Sequence, residues 1–270
     1  MFQNIGENQI KEIVNASKCS IFFIDEDQRV SLKDIGTKEE IRKYARKANA
    51  EITELELSSQ FRCNGSDGYL AFLDNLLLIK DTANYNLSGI DYDFRVCESP
   101  NELRELIFEK NKINNKARLV AGYCWDWVSK SNPKLNDIVF PEHNFAMKWN
   151  LTEDGMIWIM KEESVNEIGC IHTCQGLEVD YIGVIIGPDL IVRDGILLVS
   201  PSARSRMDST IKGYKSMLKQ DEQSAKKRIK LIIKNTYRTL MTRGMKGCYV
   251  WSTDEETNTW LKSYLLNAEK

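Results

Sequence analysis

Seven consecutive residues, "HTCQGLE", place His172, Thr173, Cys174, Gln175, Gly176 and Glu178 ahead of a strand-like apolar run, "VDYIGVIIG". His172 is one of only two histidines in the chain. An imidazole, a hydroxyl, a thiol, an amide and a carboxylate crowded into one turn admit four readings. The plainest is a core histidine. A zinc site would draw on Cys170, His172 and Cys174. These alternate too closely for the usual ligand spacings, and no second ligand pair is evident. A Cys174/His172 catalytic dyad is weak as well, because neighbours on an extended segment point to opposite sides. The fourth reading is a loop that touches nucleotide and nucleic-acid strand together in a motor.

Three other stretches carry chemistry. "FFIDEDQRVS" is an apolar run ending in acids. Asp25 could hold Mg2+ as a Walker B element does, but that use needs a GxxxxGK[ST] loop upstream, and the sequence has none. Gln28, at the end of the run, is placed to feel a γ-phosphate or to orient a water. In "LSSQFRCNG", Arg62 offers a fork suited to phosphate oxygens and Phe61 a ring suited to a base. The bland alternative is a surface arginine beside a core phenylalanine. In "NTYRTLMTRGMKGCYVW", Arg243 stands where a basic helix turns into a strand, from which an arginine finger can reach across a cleft. A C-cap glycine at Gly244 explains part of the same pattern.

The elements that would position these residues alternate between strand and helix. Apolar runs at 19–28, 55–62, 91–97, 117–125 and 180–187, and "CYVWST" near the end, read as strands. "PEHNFAMKWN" and "GMIWIM" read as short β pieces. Helices are expected after the Thr37/Glu40 capping box, over "GYLAFLDNLLLI", after Ser99-Pro100, through the long basic stretch 211–244, and at the C-terminus. Strands alternating with helices imply a parallel sheet. The polar stretch 81–91 reads as a boundary between residues 1–80 and 81–270.

The composition is that of a folded soluble protein, with 42% hydrophobic and 28% charged residues in 270. No apolar run approaches the roughly 18 residues of a membrane span, and seven scattered cysteines without a CxxC pair suit reduced thiols in the cytoplasm. The net charge is only −2, yet Ser202 to Lys246 holds thirteen Lys/Arg against Asp208, Asp221 and Glu222. Lys226, Lys227 and Arg228 are the densest point. Such a stretch is either a solvated helix face or a surface that meets phosphates.

Taken in order, the four stretches resemble motifs III, IV, V and VI of a superfamily 1 helicase. More narrowly they resemble the Schlafen-type (group 3) DNA/RNA helicase-like domain family. The resemblance implies an α/β fold of the RecA-like, P-loop NTPase type. Residues 1–80 would be the end of the first lobe and 81–270 the second. It implies ATP-dependent translocation on, or unwinding of, single-stranded DNA or RNA, with ATP and Mg2+ as cofactors. Gln28 would couple the γ-phosphate to the nucleic-acid groove. Phe61 would stack on adenine, and Arg62 and Arg243 would contact the γ-phosphate. Gly176 and Glu178 would approach the nucleotide, and His172 and Thr173 the nucleic acid. The chain departs from the pattern at Gln175, where many relatives have Lys, and at Gly244, where many have Ala. It also lacks the phosphate-binding loop, so an N-terminal ATPase lobe is an expected partner. The alternative is a non-catalytic nucleic-acid-binding or regulatory module that keeps the helicase fold.

Overall fold

Ser99, three residues past the end of a short strand, begins a helix. Its hydroxyl accepts from the Glu102 amide at 3.1 Å, and Pro100 takes the first helical position, where no amide donor is needed. Repeated along the chain, this strand-to-helix alternation builds the molecule. In the computed structural model, residues 6–34, 36–56, 62–150, 155–174 and 176–267 are described. The helices are α1 (Gln9–Ala16), α2 (Lys38–Lys47), α3 (Asp67–Leu76), α4 (Pro100–Asn114), α5 (Ile171–Cys174), α6 (Tyr214–Gln220), α7 (Glu222–Met241) and α8 (Glu255–Asn267). The strands are β1 (Asp93–Val96), β2 (Ala117–Ala121), β3 (Ile138–Phe140), β4 (Phe145–Trp149), β5 (Glu167–Gly169), β6 (Val179–Ile186), β7 (Leu190–Arg193), β8 (Ile196–Val199) and β9 (Gly244–Ser252).

Seven strands form one sheet in the order β1-β9-β6-β2-β5-β4-β3. Every pairing is parallel except β3 with β4. The central strands β2 and β6 are almost wholly buried, as a parallel sheet covered on both faces requires. One core packs α7 and α3 against β6 and β9, and it includes Val30, Leu32, Cys63, Tyr69 and Phe72. The other lies under α4 and is rich in aromatics, among them Tyr123, Phe140, Phe145, Trp149 and Trp251. A mostly parallel seven-stranded sheet with flanking helices is the α/β, RecA-like architecture expected from the sequence. The hairpin β7–β8 stands apart as a two-stranded sheet.

Three local expectations are corrected, and a fourth, the strand at 55–62, falls mostly outside the described residues. The run 19–28 forms no strand. Residues 20–25 have no regular secondary structure and no ladder partner among the described residues, and Ile21 and Phe23 are 78% and 84% exposed. Residues 51–56 are also outside any ladder, with Leu55 91% exposed, while 57–61 lie outside the described residues. "GMIWIM" is a 3-10 helix, Gly155–Met160, not a β piece. Its geometry is set from outside: the Arg118 guanidinium takes the Ile159 and Lys161 carbonyls, each at 2.8 Å. The long basic stretch is two helices, because Asp221 leaves helical geometry (φ −151°) to cap α7 through the Ser224 amide.

Candidate functional site

The amino ends of β6 and β9 lie side by side, and the turns leading into them carry the residues of interest. The register pairs Val179 with Gly244, and the Val179 amide donates to the Arg243 carbonyl at 3.0 Å. One step along, the register slips so that Tyr181 faces Gly247, which puts a one-residue bulge in β9. Gly244 is required there: a Cβ on it would lie 2.1 Å from the Gly247 carbonyl oxygen. The departure from Ala at this position therefore has a steric cause.

The turn before β9 is gripped from the segment that follows Phe61. The Cys63 thiol donates to the Thr242 carbonyl at 3.8 Å, the Tyr69 hydroxyl to Met241 at 3.1 Å and the Tyr92 hydroxyl to Gly244 at 2.9 Å. Tyr69 and Tyr92 stack with centroids 3.8 Å apart, and both are buried. Carbonyls at a helix C-terminus have no partner within the helix. Here side chains from far away in sequence satisfy them. As a result, the turn Arg62–Gly65 sits beside the turn of Arg243. The Arg62 side chain and all of Phe61 lie outside the described residues.

Arg243 itself points inward. It is 2% exposed, and its guanidinium donates to the Thr239 carbonyl at 2.9 Å and to the Leu177 carbonyl at 3.3 Å. It lines a narrow crevice with Arg118, Trp158, Cys174, Leu177, Glu178 and Val179. That crevice has room for about one water molecule. Arg118 is fully buried on β2 and anchors the crevice floor through Ser164, Asn111, Asn115 and the carbonyls named above. Burial pushes its guanidinium down to about 10.

The connection from β5 to β6 runs from the carboxyl edge of the sheet back to the amino edge, since both strands are parallel to β2. Its ends therefore face different sides. His172 is exposed near the carboxyl end of β5, and Thr173 donates to the Asn150 side chain at 2.7 Å. At the other end Gly176 has φ +87°, a left-handed conformation suited to glycine, and a Cβ there would meet nothing within 4 Å. Glu178 is exposed beside it. Cys174 is 3% exposed, and burial raises its thiol well above the ordinary range, which removes it as a nucleophile. Among the described residues no cluster of three or more His, Cys, Asp or Glu could hold a metal ion.

Gln28 donates to Asp25 at 2.6 Å within the short turn Glu26–Gln28. The next residue, Arg29, presents its carbonyl to Asn235 of α7 at 3.1 Å. The turn thus rests on the helix that leads to Arg243, roughly two turns before its end. Part of the basic stretch is used inside the protein. Arg204 is buried between Asp189 and Asp208, Arg238 pairs with Asp74, and Lys234 donates to the Leu78 carbonyl. Of the three residues singled out, Lys226 pairs with Glu222 and Arg228 reaches the Leu32 carbonyl at 3.4 Å, while Lys227 is exposed. Sequence reasoning missed Tyr69, Tyr92 and Arg118. The partners of the two tyrosines, and several of those of Arg118, are main-chain carbonyls, which leave no mark on side-chain spacing.

ATP does not fit between these groups as they stand. The crevice is too small for a triphosphate, and the Arg243 guanidinium is committed to two carbonyls.

No helix among the described residues is long and apolar enough to cross a membrane. No solved structure matches the chain. An uncharacterized protein of Saccharomyces cerevisiae is 25% identical over 291 aligned positions, covering 98% of this chain; the chain spans 60% of that relative's length. The profile described as "Schlafen group 3, DNA/RNA helicase domain" matches residues 1–254. That span takes in both gripping turns, the β5–β6 connection and the whole parallel sheet, and the chain belongs to this helicase domain family.

Proposed function

We propose that this chain is the second RecA-like lobe of an ATP-dependent DNA or RNA helicase or translocase, together with the last segments of the first lobe, working in the cytoplasm. The observation that supports the reading best is the gathering of the Arg62 turn, the Arg243 turn and Gly176–Glu178 at one edge of the sheet. In this proposal ATP and Mg2+ are ligands of a two-lobe assembly. The other lobe brings the phosphate-binding loop; this chain brings arginines and the His172–Thr173 end of the β5–β6 connection, which faces single-stranded DNA or RNA.

A second reading is a non-catalytic nucleic-acid-binding module with a helicase fold. The inward-pointing Arg243 favours it for the chain acting alone. The experiment is phosphate release from Mg-ATP with and without single-stranded DNA and RNA. It is run on this chain alone and with a family lobe bearing GxxxxGK[ST] added in trans. The two-lobe reading expects background release alone and nucleic-acid-stimulated release when both lobes are present. Background release in every arm, with retained binding of single strands, supports the second reading.

A further inference from the structure

The parallel strands β6, β2 and β5 lie side by side, so the loops that leave them share one carboxyl edge, the edge outside which open α/β sheets bind their ligands. The loop after β2 carries "GYCWDW", residues 122–127, and it is joined to both neighbours. Towards β5, Tyr123 stacks on Trp149 with centroids 5.2 Å apart, and the Trp149 indole donates to the Trp125 carbonyl at 3.1 Å. The next residue, Asn150, accepts from Thr173. Towards β6, Ser205 donates through its amide to the Tyr123 carbonyl at 3.1 Å and through its hydroxyl to the Asp126 carboxylate at 2.5 Å. Ser205 also begins a tight turn, closed by the Asp208 amide on its carbonyl at 3.0 Å. Asp208 is held in turn by Arg204, which is buried between it and Asp189. The turn therefore has fixed feet, and its two middle residues, Arg206 and Met207, are exposed. Trp127 adjoins Asp126 as Arg206 adjoins Ser205. Its indole is half-buried against the aromatic core, and the exposed Lys130 lies over the ring with Nζ 5.7 Å from the centroid, so that face looks out to solvent. Among the described residues no carboxylate forms an ion pair with Lys130 or Arg206, and the acid beside them, Asp126, is engaged by Ser205.

Resting on the reading above in which the His172 end faces single strands, we propose that Trp127, Lys130 and Arg206 form a platform for one nucleotide of a single strand of DNA or RNA. The base stacks on the outward face of Trp127 in place of the lysine. Lys130 and Arg206 take the phosphates that flank it. The strand then crosses the exits of β6, β2 and β5 towards the exposed His172. Every base has a π-face, so such a platform tolerates any sequence. Cations alone would serve an acidic peptide as well; the outward indole beside them is what favours a nucleotide. The platform needs little rearrangement, because the hydrogen bonds of Ser205 and the buried Arg204 already hold its parts.

Fluorescence anisotropy tests the platform, with labelled oligothymidylate, oligouridylate and an abasic strand of the same length titrated with the full chain over a salt series. Trp127→Ala is expected to weaken the two base-bearing strands by about fivefold to 150-fold, the worth of one base–aromatic stack, with the salt slope kept and the abasic strand little affected. Trp127→Phe, which keeps a ring, is expected to restore most of the affinity. Lys130→Gln and Arg206→Gln alter exposed side chains only and guard against a folding defect; each is expected to lower the salt slope by about 0.7. A Trp127→Ala loss confined to DNA or to RNA supports the platform and names its strand. Equal loss on the abasic strand overturns it, because the indole is then structural. Lowered slopes with no effect of Trp127→Ala mark a general anion surface and overturn it too, as do unchanged slopes in both charge variants or no binding by the wild type. The phosphate-release experiment reads separately. Strands held on the platform without turnover in any arm keep the platform and retire the two-lobe motor, and strand-stimulated turnover with unaltered binding in all the variants does the reverse.

Discussion

The thiol of Cys63 lies 3.8 Å from the carbonyl oxygen of Thr242, although 179 positions separate them. Neighbours of these two residues, Arg62 and Arg243, are thereby held on adjoining turns. The contact is reinforced by two tyrosine hydroxyls on either side, which makes the junction a unit whose parts can be removed one at a time.

Tyr69→Phe deletes only the hydroxyl on the Met241 carbonyl and leaves the stack on Tyr92 intact. A buried acceptor left without its donor costs about 1–3 kcal/mol. Urea denaturation is expected to show that loss, and Tyr92→Phe a similar one through Gly244. Because the two sites share one turn, the double variant is expected to cost less than the sum. Additive losses would mean that the two hydroxyls act independently.

Gly244→Ala tests the bulge. The added methyl meets a backbone oxygen at 2.1 Å, not the end of a flexible side chain, so β9 itself must shift. Overpacking of this kind costs about 1–3 kcal/mol. A thermal melt unchanged from wild type would show that β9 relaxes without penalty.

Lys234 gives the molecule a pH signature. Burial, assisted by the like charge of Lys230, lowers its ammonium from 10.5 to about 8. Between pH 8 and 10.5 the unfolded chain therefore binds more protons at this site than the folded one. Stability contributed by this group rises with pH through that window. Denaturation midpoints measured from pH 7.5 to 10 should climb in the wild type relative to Lys234→Met, which has no such proton to lose. Parallel pH profiles would remove Lys234 as the cause.

Among the three basic residues at the start of α7, Lys227 is expected to carry most of any nucleic-acid contact, because Lys226 and Arg228 already have partners. Lys227→Gln should weaken binding of a single-stranded oligonucleotide and lower its salt slope by about 0.7, the value for one lost phosphate contact on a single strand. An unchanged slope marks α7 as a solvated face.

Much of this architecture is legible in the sequence, and the illegible parts share a cause. Ser99-Pro100 announced α4, the β-branched run announced β6, and the Thr37 cap appears as expected, with its hydroxyl on the Glu40 amide at 3.0 Å. These signals are local. The hairpin β7–β8 was overlooked although Asp194-Gly195 between apolar runs is a standing turn signal; both residues have positive φ. The run at 19–28 has strand composition, but a strand exists only where a neighbour completes its ladder. The charge count over 202–246 cannot show which charges are spent inside the molecule, for a similar reason. Arg238 finds Asp74 at a separation of 164 positions, and no window of sequence shows that pairing. That Arg243 faces inward was not legible, because the bonds that hold it go to the carbonyls of Thr239 and Leu177.

Arg118 holds the 155–166 segment by the backbone, through the carbonyls of Ile159 and Lys161. A grip on main-chain oxygen is indifferent to the side chain that oxygen belongs to. The exposed Ile157 and Met160 on this segment are thus free to change without loosening it. A single buried cation that grips main-chain oxygens leaves the outward face of its segment open to substitution, so this rim of the molecule is where the surface can change at least cost to the fold.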